Sequence, residues 1–176
     1  SYIPVDRYGV VDLERLNSAI DQRTLLISVM AANNDIGTIH PIAEVGRLAK
    51  KHGVLFHCDA VQAVGKIPLD VESMSIDLLS MSAHKIYGPK GVGALYVRGR
   101  NPRVRLQPII EGGGHEKGMR SGTLNVPGIM GLGMACELAA REMAQESARL
   151  TRLREQLKEA IFSRLEEVYL NGHPSN

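Results

Sequence analysis

Val54-Leu55-Phe56-His57-Cys58-Asp59-Ala60-Val61-Gln62 is an apolar run of strand length that stops abruptly on polar residues. The same design recurs at Ile76-Asp77-Leu78-Leu79-Ser80-Met81, which runs straight into Ser82-Ala83-His84-Lys85. Short, β-rich apolar runs of this kind read as buried strands, here over Val54–Cys58 and Ile76–Met81. Upstream, Thr24–Ala31 reads as a strand of the same type, and Gly93–Val97 as a fourth, reached through a loop containing Tyr87, Gly88 and Pro89. Between them lie helical patterns. Leu13, Leu16 and Ile20 recur at helical spacing behind Asp12, a natural N-cap. Ile42, Val45 and Leu48 mark the apolar face of a helix that Pro41 can open at its first position and Gly53 can close. Strands alternating with helices predict an α/β sheet covered by helices on both faces.

Beyond Val97 the texture changes. A polar, glycine-rich loop over Glu111–Gly122 leads into a long helical region from Pro127 to Leu165, which reads as more than one helix or a bent one. Gly128, Gly131 and Gly133 permit close packing at its start, and Leu150, Leu153, Leu157 and Ile161 form a stripe at spacings of three and four. Val168–Leu170 reads as a further strand. Residues 1–145 are expected to form one part of a large domain, and 146–176 a connecting helix with the start of a second, smaller one. The chain begins at Ser1 without an initiator Met, which suggests an internal piece of a longer protein.

A chain with 44% apolar and 23% charged residues can bury a real core. Its net charge of +2 is spread over alternating signs, so no nucleic-acid footprint is present. No apolar run approaches the about 20 residues needed to cross a bilayer. Cys58 and Cys136 form neither a C-x-x-C pair nor a zinc-type ligand run and read as reduced structural thiols.

In open α/β sheets ligands gather at the carboxyl ends of the strands, which would bring Asp59 and Gln62 into one crevice with Ser82, His84 and Lys85. A lysine at the end of an apolar strand is partly desolvated, its neutral amine becomes more accessible, and it can condense with an aldehyde. The plainer reading is a solvated surface lysine. Asp59 changes the balance, because a carboxylate there can keep a pyridine nitrogen protonated, as pyridoxal phosphate requires; alone it would equally be a turn aspartate. Gln62 offers an amide to the same ligand, or merely polarity to a turn. Ser82 and His84 supply a hydroxyl and an imidazole suited to a phosphate, and Thr123 a second hydroxyl, each otherwise an ordinary loop residue. Gly88-Pro89-Lys90-Gly91-Val92-Gly93 lacks both the Walker spacing and the dinucleotide pattern, so it gives nucleotide binding little support.

Taken together, Asn33-Asn34-Asp35-Ile36-Gly37, His57-Cys58-Asp59-Ala60-Val61-Gln62-Ala63-Val64-Gly65-Lys66, Ser82-Ala83-His84-Lys85-Ile86-Tyr87-Gly88-Pro89-Lys90-Gly91, Gly112-Gly113-Gly114-His115-Glu116 and Met119-Arg120-Ser121-Gly122-Thr123 closely resemble the cysteine desulfurases of iron-sulfur cluster assembly. The resemblance spans essentially the whole chain. It implies the large domain of a fold-type-I, class-V aminotransferase-like enzyme, a mainly parallel sheet incomplete at both ends. It also implies pyridoxal 5'-phosphate as cofactor, with Lys85 as the Schiff-base lysine, Asp59 at the pyridine nitrogen, and Asn34 and Gln62 near the ring hydroxyl. Ser82 and His84 would hold the phosphate. Thr123 would reach the phosphate of the other subunit, which implies a homodimer. Ala83 departs from the glycine common at its position, and a small side chain suits it.

The activity so implied converts L-cysteine to L-alanine and leaves a persulfide on an enzyme cysteine, for delivery to an iron-sulfur scaffold or another acceptor. The compartment would be cytoplasmic, or mitochondrial in a eukaryote. By the same resemblance the sulfur-accepting cysteine and the arginine for the substrate carboxylate lie beyond Asn176, and the histidine that stacks on the cofactor lies before Ser1. The chain alone is therefore expected to be inactive. A selenocysteine lyase, another fold-type-I enzyme and a non-catalytic fragment are the alternative readings, since fold and lysine do not fix the chemistry.

Overall fold

Asp12 starts the first helix as expected: its carboxylate accepts hydrogen bonds from the backbone N–H groups of Glu14 and Arg15, capping α1 (Leu13–Ala19). The computed structural model describes residues 1–175. Strand β1 (Leu26–Met30) follows, then α2 (Ile42–His52). Pro41 stands at the N-cap of α2 rather than inside its first turn, and the helix begins one residue later, at Ile42. Gly53 ends it in the left-handed region, its N–H returning to the carbonyls of Ala49 and Lys50. Strands β2 (Leu55–Asp59) and β3 (Leu78–Ser82) come next, and β3 passes directly into a 3₁₀ turn over Ala83–Ile86. Strand β4 (Gly93–Val97) has the bounds read from the sequence.

The sheet order is β1-β2-β3-β4. The first three strands are parallel and β4 runs antiparallel along β3. The mainly parallel expectation therefore holds, with one reversed strand at the edge. One sheet face is a core: Ile27, Phe56, Cys58 and Leu79 meet α2 through Val45 and Ala49. The other face carries Leu26, Ser28, His57 and Leu95, and both Leu26 and Leu95 are exposed.

Two expectations need correction. The long helical region is a single uninterrupted helix, α3 (Val126–Phe162), capped by the Asn125 side chain on the Gly128 N–H. The close packing read from its early glycines is present at Gly131, where a Cβ would lie 2.5 Å from Pro89 Cγ. Val168–Leu170 is not a strand. Among the described residues it has no ladder partner, and these residues instead line a cleft beside α3. Among the described residues no helix is long and apolar enough to cross a membrane.

Candidate active site

Parallel pairing of β1, β2 and β3 places their carboxyl ends along one edge. The ladder extends past the strands: Ala31 N–H donates to the Asp59 carbonyl at 2.8 Å, and Ala60 N–H to the Ser80 carbonyl at 3.0 Å. Asp59 is thus the last residue of β2, half-buried, with its backbone held by β1. Its Oδ1 accepts a hydrogen bond from the Val61 N–H at 3.0 Å. That bond orients the carboxylate, and among the described residues no hydrogen bond reaches its second oxygen. Gln62 follows in the same turn, half-buried.

On the neighbouring strand, Ser82 Oγ lies 2.9 Å from His84 Nδ1. Lys85 stands between two anchors of the 3₁₀ turn. Ala83 is wholly buried and Ile86 nearly so, and both pack against Leu132 and Ala135 of α3. The turn is closed by Tyr87 in the left-handed region and by the Gly88 N–H on the Ala83 carbonyl at 2.8 Å. Helix α3 approaches so closely that a Cβ on Gly65 would come 2.9 Å from the Ala139 Cβ. The lysine is exposed, while the backbone that carries it is clamped.

Asn34 is exposed in the loop after β1, at the same sheet edge, and its Nδ2 donates to Asp35 Oδ1 at 3.0 Å. The loop is shaped by its neighbour, since Asn33 Oδ1 accepts from the N–H groups of Asp35 and Ile36. Thr123 stands apart. It is exposed at the end of the glycine-rich loop, and among the described residues no hydrogen bond joins it to Ser82, His84 or Lys85. That loop is braced from within by Gly114 N–H on Ser121 Oγ and Gly122 N–H on His115 Nδ1.

A cleft of about 1940 Å³ opens between α3, residues 167–175 and the turn of Lys85. Lys85 and Lys66 line it, whereas Asp59, Gln62, Ser82 and His84 do not. The polar cluster therefore sits at the sheet edge beside the cleft, with Lys85 common to both. Lys66 is a residue that sequence reasoning passed over. Desolvation, and secondly the charge of Lys85, hold its pKa below the ordinary lysine value.

The model of the class-V aminotransferase family matches residues 1–176. The chain belongs to that family. Within it, this class-V aminotransferase chain is 56% identical over 172 residues to the cysteine desulfurase IscS of Anaeromyxobacter dehalogenans, which covers 98% of this chain and 42% of the relative. It is 53% identical over 176 residues to the cysteine desulfurase of Homo sapiens, covering 100% of this chain and 38% of that protein. Among solved structures, a NifS-like protein superposes with a TM-score of 0.86 at 47% identity, over 93% of this chain and 44% of its own. A NifS-like protein from Rickettsia africae gives 0.92 at 33% identity, over 99% and 48%. The chain spans less than half the length of these relatives and carries the α/β fold they share over that part.

Burial acts on both thiols of the chain. Cys58 is fully buried, and desolvation, with the Asp59 charge adding to it, pushes its pKa up to about 12. Cys136 is half-buried and its thiol is also pushed up by burial.

Proposed function

We propose that the protein carrying this chain is a pyridoxal-phosphate-dependent cysteine desulfurase, taking L-cysteine to L-alanine and passing the sulfur to a cysteine thiol of the enzyme as a persulfide. The observation that carries the reading is the placement of Lys85 on a clamped turn immediately after β3, beside the Ser82–His84 pair and one strand from Asp59.

The donor set fits the cofactor. A hydroxyl and an imidazole suit a phosphate, a primary amine suits an aldehyde, and a carboxylate with one oxygen committed to its own turn suits a protonated ring nitrogen. Bound there, pyridoxal phosphate would supply an electron sink for the substrate carbon. Ser82 and His84 would hold the phosphate, Asp59 would keep the ring nitrogen protonated, and Gln62 and Asn34 would lie near the ring hydroxyl. Lys85 would hold the cofactor through its amine and, once released, would carry a proton to and from the substrate Cα. Cys58 is fully buried and Cys136 half-buried, and neither sits in the context of the family's sulfur-accepting cysteine, so neither is given that role.

Further parts of the reading rest on family likeness: a homodimer in which Thr123 reaches the cofactor of the other subunit, and a sulfur acceptor that builds iron-sulfur clusters. The cytoplasm, or the mitochondrion in a eukaryote, would be the compartment. Residues 1–145 would belong to the cofactor domain, and the later part of α3 would lead to a second domain, in keeping with its exposed Leu150, Leu153 and Leu157.

Borohydride reduction of the intact protein followed by peptide mapping tests the reading. The label is expected on Lys85, and a label on another lysine, or none, refutes it.

A further inference from the structure

A polar bridge crosses the sheet one step behind Asp59. His57 Nδ1 lies 2.8 Å from Ser28 Oγ on β1, and His57 Nε2 lies 2.9 Å from Ser80 Oγ on β3. Side chains alternate along a strand, so His57 shares a sheet face with Asp59. Ser28 is the register partner of His57, and Ser80 is the register partner of Asp59. One imidazole therefore joins the three parallel strands that lead to Asn34, Asp59 and Ser82.

The bridge is matched in its hydrogen bonding. A neutral imidazole has one donor and one acceptor nitrogen, and a hydroxyl can serve as either, so both serines are satisfied in either tautomer. The opposite face of the same strands is held by apolar packing of Ile27, Phe56 and Leu79. Cohesion of the sheet alone does not call for a histidine at this point.

We propose that His57 is a positioning residue for Asp59. Pinned between Ser28 and Ser80, it holds the ends of β1, β2 and β3 in the register that sets where the Asp59 carboxylate points. It acts through Ser80, whose carbonyl binds the Ala60 N–H and so fixes the backbone just after Asp59. The inference rests on the reading of Asp59 as the partner of the cofactor nitrogen.

The test uses the intact protein and four variants: His57→Phe, His57→Gln, the double variant Ser28→Ala/Ser80→Ala, and Asp59→Ala as a control. Four quantities are measured: the Kd for pyridoxal phosphate, the absorption spectrum of the bound cofactor, kcat and KM for cysteine, and the Tm of the apoprotein. For His57→Phe and for the double variant, loss of the paired hydrogen bonds should weaken cofactor binding about tenfold. The absorption band should shift and kcat should fall with KM little changed, while the apoprotein Tm stays close to wild type. His57→Gln, which keeps a donor and an acceptor, should recover most of the loss. Wild-type affinity and spectrum in both His57→Phe and the double variant overturn the proposal, and so does failure of both to fold, which makes the bridge purely structural. If only one of them folds, that one decides. An insensitive Asp59→Ala removes the reading of Asp59 itself; a sensitive Asp59→Ala beside insensitive His57 variants removes only the bridge.

Discussion

Ser82 and His84, two residues apart at the end of β3, face each other through Oγ and Nδ1 at 2.9 Å. Each orients the other, so on the proposed reading they would act as one unit toward the cofactor phosphate. Ser82→Ala and His84→Phe should each weaken pyridoxal phosphate binding by about tenfold, the loss of one hydrogen bond to a charged group. The double variant should lose less than the sum of the two, because the partner's orientation has already gone. Fluorescence titration of the apoprotein measures this, and strictly additive losses would show that the two residues work separately.

Gly131 and Gly133, on one helix, should answer in opposite directions when changed to Ala. At Gly131 the new Cβ would lie 2.5 Å from Pro89 Cγ, a stiff ring that cannot swing away. The helix must then shift from the turn that carries Lys85, at a cost of about 1–3 kcal/mol. At Gly133 nothing lies within 4 Å, and Ala should stabilise the helix by about 0.5–1 kcal/mol. Thermal melting of both variants decides the matter, and equal shifts would remove the close contact as a constraint.

How much of this was legible depends on the range of the signal. Asp12, Gly53 and the run Gly93–Val97 announce their elements within a few residues, and the structure uses them as read. Lys85, Ser82 and His84 lie in one short motif, so their neighbourhood is local too. The unity of α3 was not legible, since the region reads as more than one helix or a bent one, while the close packing read at its early glycines is met at Gly131 by Pro89. Val168–Leu170 has strand-like composition, but a strand needs a free edge beside it, which composition does not report. The bridge of His57 was hidden for the same reason. Its serines lie 29 and 23 residues away in sequence, and only the strand register brings them together.

His40 should make stability fall in acid. Burial, opposed by the charge of Asp6, holds its pKa below the ordinary value, and its Nδ1 must stay unprotonated to accept the Val11 N–H at 3.2 Å. The unfolded chain therefore takes up the proton first as the pH drops. The stabilisation is complete above about 6.5 and is lost as the pH falls through the lowered folded value. His40→Asn, whose Oδ1 can take the same bond without titrating, should flatten the decline. Urea midpoints at about pH 7 and pH 5 measure it, and an equal decline in both proteins would clear His40 of the effect.

Arg98 offers the sharpest separation of stability from chemistry. It is 6% exposed at the far end of β4, where Nε meets Asp77 Oδ1 at 3.0 Å and Nη2 donates to the carbonyls of Val71 and Ile76. Asp77 in turn accepts the Phe56 N–H through Oδ2, so the guanidinium balances a buried carboxylate that also pins β2. Arg98→Met strands that carboxylate and should cost about 3–5 kcal/mol. Arg98→Lys should rescue little, since an ammonium cannot reproduce the planar fork. Glu72, the fourth partner at 2.7 Å, has a side chain 74% exposed, and Glu72→Ala should cost under about 1 kcal/mol. Because Arg98 pairs with the start of β3 while Ser82 ends it, the cofactor spectrum of folded Arg98→Met should match wild type. Urea denaturation together with absorption spectra checks both halves, and a spectral change without loss of stability would contradict the assignment.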